Sequence, residues 1–360
     1  MIRALGVLLM LAGTSIPAVE IQPIPGDFGP PRVVVPAPEN VNYQHLGWPK
    51  MVRAANGDLV VCYVAGRKHT EGGSPACSVS RDRGKTFSKP HIVLETPKTP
   101  DIGHTWNVAL GRVACKDLLL LAMVGDKERK TSRPMAWRSK DHGRSWVAAS
   151  TRGLPARAFG VFGNLFSVPG RGIAVAGYSY MDAGKWMPGV WIAYSSDNGE
   201  SWDIPGPVSM EVRNEPSFLY TANMLIGLVR EEDPEPKTYR LFHSPDLGKT
   251  WNSAPVGFGN GRRLPSPFVT ADAADPARLY ALESDRAARH IVLWTARAGV
   301  FEWSRVGKVA GFPSVPGSDY SYPWMVQLNR TDWFLVFYCG ANDGPNHIWG
   351  MRIKLPPPAK

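Results

Sequence analysis

The chain has 360 residues, among them 36 glycines, 33 prolines and 13 tryptophans, and 20% of it is charged. Long helix-period runs are scarce, which excludes a helical bundle and suits many short strands joined by frequent turns. The net charge of +10 suits either an anionic partner or plain solubility. Without a basic helix or a nucleic-acid motif, the chain is expected to have no nucleic-acid partner.

Met1 to Ala18 reads as a secretory signal: Arg3, then an apolar run from Ala4 to Ala12, then small residues. That run is too short to span a membrane, so the expected product is exported, periplasmic or secreted, with no transmembrane segment. Residues 19–40, with Pro23, Pro25, Pro30 and Pro31, read as an extended lead-in rather than structure. No linker divides residues 41–354, which are expected to form one domain, and 355–360 is a short tail. Cys62, Cys77, Cys115 and Cys339 lack metal-ligand spacing. Cys62 and Cys77 keep the same register sum as Val60 and Val79, so they would face each other across a hairpin, as a disulfide or as buried free thiols.

Apolar strand segments follow in groups. The first runs through Trp48–Val52, Gly57–Val64 and Ala76–Val79; the second through Asn107–Leu110, Leu118–Val124 and Met135–Trp137. The third holds Gly163–Val168, Ile173–Tyr178 and Val190–Tyr194; the fourth holds Pro216–Tyr220, Met224–Val229 and Tyr239–Phe242. Pro267–Thr270, Arg278–Leu282 and Ile291–Trp294 make a fifth group, although Ala273 to His290 could instead contain a short helix. Trp324–Leu328, Trp333–Tyr338 and His347–Met351 make the last.

The first four groups each end in one motif, Ser-x-Asp-x-Gly-x-(Ser/Thr)-aromatic: Ser80–Phe87, Ser139–Trp146, Ser195–Trp202 and Ser244–Trp251. Asp82, Asp141, Asp197 and Asp246 recur at intervals of roughly 50–60 residues, the signature of a repeated supersecondary unit. Each copy is a turn signal: Asp accepts backbone N–H bonds, Gly supplies a positive φ, the hydroxyl back-bonds, and the aromatic packs inward. Six strand groups of similar length predict an all-β, six-bladed β-propeller. The ring is expected to close by pairing Arg32–Val35 with the last group.

The four motifs match the Asp box, or BNR repeat, and the chain from about residue 40 to 354 resembles the sialidase (neuraminidase) superfamily. The resemblance implies a sialidase-type propeller with the Asp boxes on its outer rim, structural rather than catalytic. It also implies a site. Asn214-Glu215-Pro216-Ser217-Phe218, followed by Met224 to Arg230, matches the place where sialidases carry a glutamate that assists a tyrosine nucleophile and an arginine that binds the substrate carboxylate. Asp319-Tyr320-Ser321-Tyr322-Pro323 matches the place of the nucleophile, and both Tyr320 and Tyr322 qualify, two apart and expected on one side of an extended segment. Arg289, and after it Arg286, is the candidate to complete the carboxylate clamp.

Two family features are missing. Gly47-Trp48-Pro49 stands where the family has Arg-Ile-Pro, so Lys50 or Arg53 would have to substitute. No aspartate lies between Ala65 and Ser74, where the general acid is expected; His69, Glu71, Asp101 and His104 are the local replacements. The resemblance therefore implies an exo-glycoside hydrolase for terminal acidic sugars, α-linked sialic acid among them, with no metal or organic cofactor and a monomeric state. Sialic acid suits a neutral tyrosine nucleophile because its carboxylate would repel a carboxylate one, and guanidinium groups suit that carboxylate. A carbohydrate-binding propeller without catalysis, and a hydrolase or lyase for another acidic glycan with His69 or Asp101 as acid, are the alternatives.

Overall fold

Short β-branched and aromatic runs between turn residues become 25 strands and a single 3-10 turn, Thr96–Lys98, among the described residues. The computed structural model describes residues 21–128, 131–156, 160–182, 185–211, 213–231, 238–259 and 264–357. The expected signal, residues 1–18, lies outside them, as do residues 358–360 of the tail.

Two short strands come first, β1 (Ile24–Pro25) and β2 (Arg32–Val35). Antiparallel meanders follow. The first holds β3 (His45–Arg53), β4 (Leu59–Gly66), β5 (Ser74–Ser80) and β6 (His91–Ile92). Next come β7 (Ile102–Arg112), β8 (Leu118–Asp126), β9 (Ser132–Ser139) and β10 (Val147–Ala149). Then come β11 (Gly160–Val168), β12 (Gly172–Asp182), β13 (Lys185–Ser195) and β14 (Pro207–Ser209). After these stand β15 (Arg213–Thr221), β16 (Met224–Glu231), β17 (Tyr239–Ser244) and β18 (Asn252–Pro255). A further meander has β19 (Phe268–Asp272), β20 (Asp275–Asp285), β21 (His290–Arg297) and β22 (Ser304–Gly311). The last has β23 (Ser318–Gln327), β24 (Asp332–Ala341) and β25 (Asn346–Lys354), with β2 pairing on β25.

The leading strands β3, β7, β11, β15, β19 and β23 each pack against the next, and β23 returns to β3. One of these junctions carries parallel pairing, Gly163 with Ala109, and at the closing seam β25 also pairs in parallel with β3 through Asn346 and His45. The closed cycle places the leading strands innermost and the fourth strands outermost, the arrangement of a propeller-type fold. Core side chains such as Leu120, Val336 and Phe337 are fully buried between the meanders.

The four motifs join third strands to fourth strands, at the rim, and all close in the same way. In the first, Ser80 Oγ donates to Asp82 Oδ1 (2.8 Å) and accepts from Gly84 N (2.7 Å). Thr86 donates through its backbone N to Oδ1 (2.9 Å) and through its hydroxyl to Oδ2 (2.6 Å). Asp141, Asp197 and Asp246 repeat this pattern. Two consecutive residues are left-handed, not the glycine alone: Arg83, His142, Asn198 and Leu247 have φ near +60, each just before its glycine. The glycine is required for a second reason. A Cβ on Gly84 would lie 2.3 Å from the Phe334 ring, on Gly143 2.8 Å from Val60, and on Gly199 2.6 Å from Leu119. Each of those turns thus presses its glycine onto the second strand of the preceding meander, locking neighbours together.

Two expectations change, and one open choice is decided. Ala273 to His290 holds no helix: Asp275–Asp285 is a strand whose residues Arg278–Asp285 pair one by one with His290–Arg297, because sheet pairing on both edges overrides local helix propensity. The proline-rich lead-in is structured in part, since Ile24 and Pro25 pair with Gly311 and Ala310. Cys62 and Cys77 are directly opposed across β4 and β5 and joined as a disulfide, with Cα atoms 4.2 Å apart. The expected closure by Arg32–Val35 on the last meander is present, Val33 opposite Trp349.

Candidate active site

The inner strands are not regular. Pairing slips between Gly47 and Lys50, between Asn214 and Ser217, and between Ser321 and Trp324. At each slip a non-glycine residue is left-handed and precedes a proline: Trp48 (φ 54), Glu215 (φ 49) and Tyr322 (φ 54). Proline bars its predecessor from the right-handed helical region and donates no ladder hydrogen bond, so the bulge forms there and re-aims that side chain. Such conformations cost about 1–3 kcal/mol each and persist only where surrounding structure enforces them. Three equivalent inner strands therefore deliver three side chains to one place.

Tyr322 Oη donates to Glu215 Oε1 at 2.6 Å, and Arg230 Nη1 lies 2.8 Å from Glu215 Oε2. Arg230 also donates to the Leu264 carbonyl (3.2 Å). Glu215 and Tyr322 are both buried. Burial first, and then the Glu215 charge, push the Tyr322 phenol well above its usual value, against the lowering pull of Arg230 and Arg286. The phenol is thus neutral, already hydrogen-bonded to the base that would take its proton.

Tyr320 is elsewhere. Positive φ at Ser321 and Tyr322 breaks the strand alternation that would have put both tyrosines on one side. Tyr320 stacks on Phe312 with ring centroids 4.1 Å apart and donates to the Arg286 carbonyl at 3.1 Å.

A second group adjoins the first. Asp319 Oδ1 accepts from Arg286 Nη2 (3.0 Å) and from Tyr338 Oη (2.9 Å). Its Oδ2 is shared by His45 Nε2 (3.0 Å) and His69 Nδ1. Burial would raise this carboxyl, but the two histidine hydrogen bonds and the Arg286 charge outweigh it and hold Asp319 well below the usual carboxylate range. The Trp48 ring bridges the groups, 4.9 Å from His69 and 6.4 Å from Tyr322 between centroids, while Arg286 Cζ lies 5.7 Å from the Tyr322 ring. One ligand atom each of His45, His69 and Asp319 lie within 4.8 Å of one another, a spacing that could also suit a cation. Here Arg286 already balances the carboxylate and two imidazoles share its other oxygen, so the group reads as a hydrogen-bond network rather than a metal centre.

Lys50 is fully buried beneath this site, its Nζ 4.1 Å from the Phe162 ring centre, 4.8 Å from Trp324 and 5.8 Å from Tyr322. Burial lowers its pKa to about 7, against the opposing pull of Glu215. It is placed to act on Glu215 through its charge, not to touch a ligand.

The other expected residues lie apart. Arg53 ends β3 at the opposite face and donates to the Leu328 carbonyl (3.2 Å), because the strand carries it away from the His45 end. Asp101 is exposed in the turn before β7, and no hydrogen bond or ion pair joins it to the groups above. Arg289 is exposed, bonded to Ser314 Oγ (3.2 Å), at the edge of a cleft of about 460 Å³ that His69, Arg286, Asp319 and Tyr320 also line. Arg286, the second choice, is the arginine that reaches the centre. Glu71 pairs with Arg67 and Lys68 in its own loop, and His104 is buried, accepting from Gly73 N (2.8 Å). Trp48, His45, Asp319 and Tyr338 were not expected; the Trp48-Pro49, Glu215-Pro216 and Tyr322-Pro323 pairs were the available signal for Trp48.

Residues 89–335 match the family described as BNR repeat-like domain. No curated protein sequence matches the chain. Among solved structures, a Dyadobacter fermentans protein of unknown function is 18% identical, with a TM-score of 0.70, over 95% of this chain and 100% of that one. The Hadza microbial sialidase Hz136 is 16% identical (TM-score 0.72; 91% and 69% covered). The Streptococcus pneumoniae NanB sialidase, as its K499G mutant, is 10% identical (TM-score 0.68; 90% and 70% covered). At these identities the likeness establishes an all-β fold of the sialidase, β-propeller type.

Proposed function

We propose that this chain, which belongs to the BNR repeat-like family within the sialidase superfamily, is an exported six-bladed propeller hydrolase that releases terminal acidic sugars, α-linked sialic acid foremost. The observation that carries the reading is the 2.6 Å hydrogen bond from Tyr322 Oη to Glu215 Oε1, with Arg230 on the other carboxylate oxygen. Tyr322 Oη attacks the anomeric carbon while its proton passes to Glu215. Water then hydrolyses the tyrosyl intermediate, with net retention. Arg286, and Arg230 when a ligand draws it from Glu215, supply guanidinium groups for a substrate carboxylate, with Arg289 at the edge. The Cys62–Cys77 disulfide supports an oxidising, exported setting.

The test is turnover of 4-methylumbelliferyl sialoside alongside a panel of aryl glycosides and uronides. Wild type is expected to cleave the sialoside. Tyr322→Phe should lose roughly 10³-fold or more in kcat/KM, and Glu215→Gln roughly 10²–10⁴-fold. A Tyr322→Phe variant as active as wild type would sink the mechanism. Glycan binding without turnover of any substrate would make this a carbohydrate-binding propeller.

A further inference from the structure

A tyrosine nucleophile does half of a glycoside cleavage; the departing sugar oxygen also needs a proton. The first meander offers no aspartate for that. We infer that His69 is the proton donor to the leaving group, with Asp319 as its positioning residue. The inference rests on the hydrolase reading above and specifies its missing half.

Elimination and placement both lead to His69. Of the side chains lining the cleft, Arg286 and Arg289 keep their protons at any working pH. Asp319 accepts from four donors and is buried, so it carries no proton to give. Tyr320 spends its hydroxyl on the Arg286 carbonyl. His69 is 26% exposed, and Asp319 engages Nδ1, leaving Nε2 for a ligand. Asp319 fixes the ring's orientation, as a carboxylate behind a histidine does in other acid–base pairs.

The loop bearing His69 is itself held. Arg67 N donates to the Glu71 carbonyl (2.9 Å), and His69 N donates across to the Asn342 carbonyl of the last meander (3.0 Å). Groups facing the imidazole are Asp319 from β23 and His45 and Trp48 from β3, with Tyr338 from β24 behind them on Asp319. Arg286 and Arg289 approach from the turn after β20, with Arg67, Lys68 and Glu71 on its own loop. Asp319 and Tyr322 lie three residues apart across one bulge, so the donor's support and the nucleophile share a strand.

The protons balance. His69 gives its Nε2 proton to the glycosidic oxygen as that bond to the anomeric carbon breaks and the bond to Tyr322 forms. Neutral His69 then takes a proton from the water that displaces Tyr322, and Glu215 returns its proton to the phenolate.

The experiment compares two substrates that differ only in need for an acid. Sialyllactose leaves as a poor, protonation-dependent alcohol; 4-nitrophenyl sialoside leaves unaided. His69→Ala should lose roughly 10²–10⁴-fold in kcat/KM on sialyllactose and less than about tenfold in kcat/KM on the aryl sialoside, with an unchanged melting temperature. His69→Gln serves if the alanine variant unfolds. Equal losses on both substrates, or no loss on either, would overturn the inference and leave the Tyr322 reading standing. The leaving-group split in a protein whose Tyr322→Phe variant stays active would do the reverse. A wild type that turns over neither substrate defeats both.

Discussion

The rim turns and the inner-strand bulges both place residues in left-handed backbone, and they answer its cost in opposite ways. At the rim, Asp82 is satisfied by Ser80, Lys85 and Thr86, within a few residues of itself, and the tightest position is given to glycine. At the centre, Trp48, Glu215 and Tyr322 take the strain without glycine. There the carboxylates of Glu215 and Asp319 find partners 15 to 274 positions away in the chain. The rim stabilises through local bonds, whereas the centre holds its strain only because the closed ring enforces it.

The largest test of that contrast is Gly84→Ala. A Cβ there meets Phe334 at 2.3 Å on a backbone at φ 86, whereas Gly170 at φ 72 has nothing within 4 Å. Gly84→Ala should cost about 3 kcal/mol or more and Gly170→Ala about 1 kcal/mol, read from urea midpoints. Equal losses would mean that the rim glycine serves φ alone and not the docking of neighbouring meanders.

This contrast also explains what the sequence could reveal. Ser80, Asp82, Gly84 and Thr86 bond among themselves, so their spacing is visible in the chain and repeats four times. Glu215 and Arg230 are legible for a similar reason, being adjacent across one hairpin. The choice between Tyr320 and Tyr322 is not, because it depends on two positive φ values that only the packed ring imposes. Asp319 is hidden in the same way: its four donors come from β3, the loop after β4, the turn after β20 and β24. Linear position favours Arg289 over Arg286, yet the turn points Arg289 to the edge and Arg286 inward.

The next largest effect belongs to Lys50, at the centre. Its folded pKa of about 7 lies below the 10.5 of an open lysine, so above pH 7 the unfolded chain binds the extra proton and stability rises with pH. Between pH 7 and 9 wild type should gain stability, at most about 1.4 kcal/mol per pH unit, and Lys50→Met should show no such rise. The rim titrates with the same sign but in acid. Burial would raise Asp82 and Asp141, but their turn hydrogen bonds win and lower both to about 2 from 3.8. Their contribution is present above about pH 4 and lost as pH falls towards 2. Asp82→Asn/Asp141→Asn should flatten the acid-unfolding curve in that window; an unchanged curve would remove the rim from the acid response.

The smallest expected effect is a gain. Ser321 sits at φ 120 with its buried Oγ unpartnered. Ser321→Gly should raise stability by about 1 kcal/mol, and a loss would show that the central strain is not where the backbone places it.

The pairing of β1 with β22 and of β2 with β25 sets an order of assembly. The segment synthesised early is the one whose partners emerge last, so every intermediate stage of translation leaves it waiting and leaves the edge of β25 unmade. Ring closure is therefore a late event joining early strands to the last two meanders. The candidate site built from β3, β15 and β23 depends on that event, and a chain released short of Ile348 lacks the seam that holds β3 against β23.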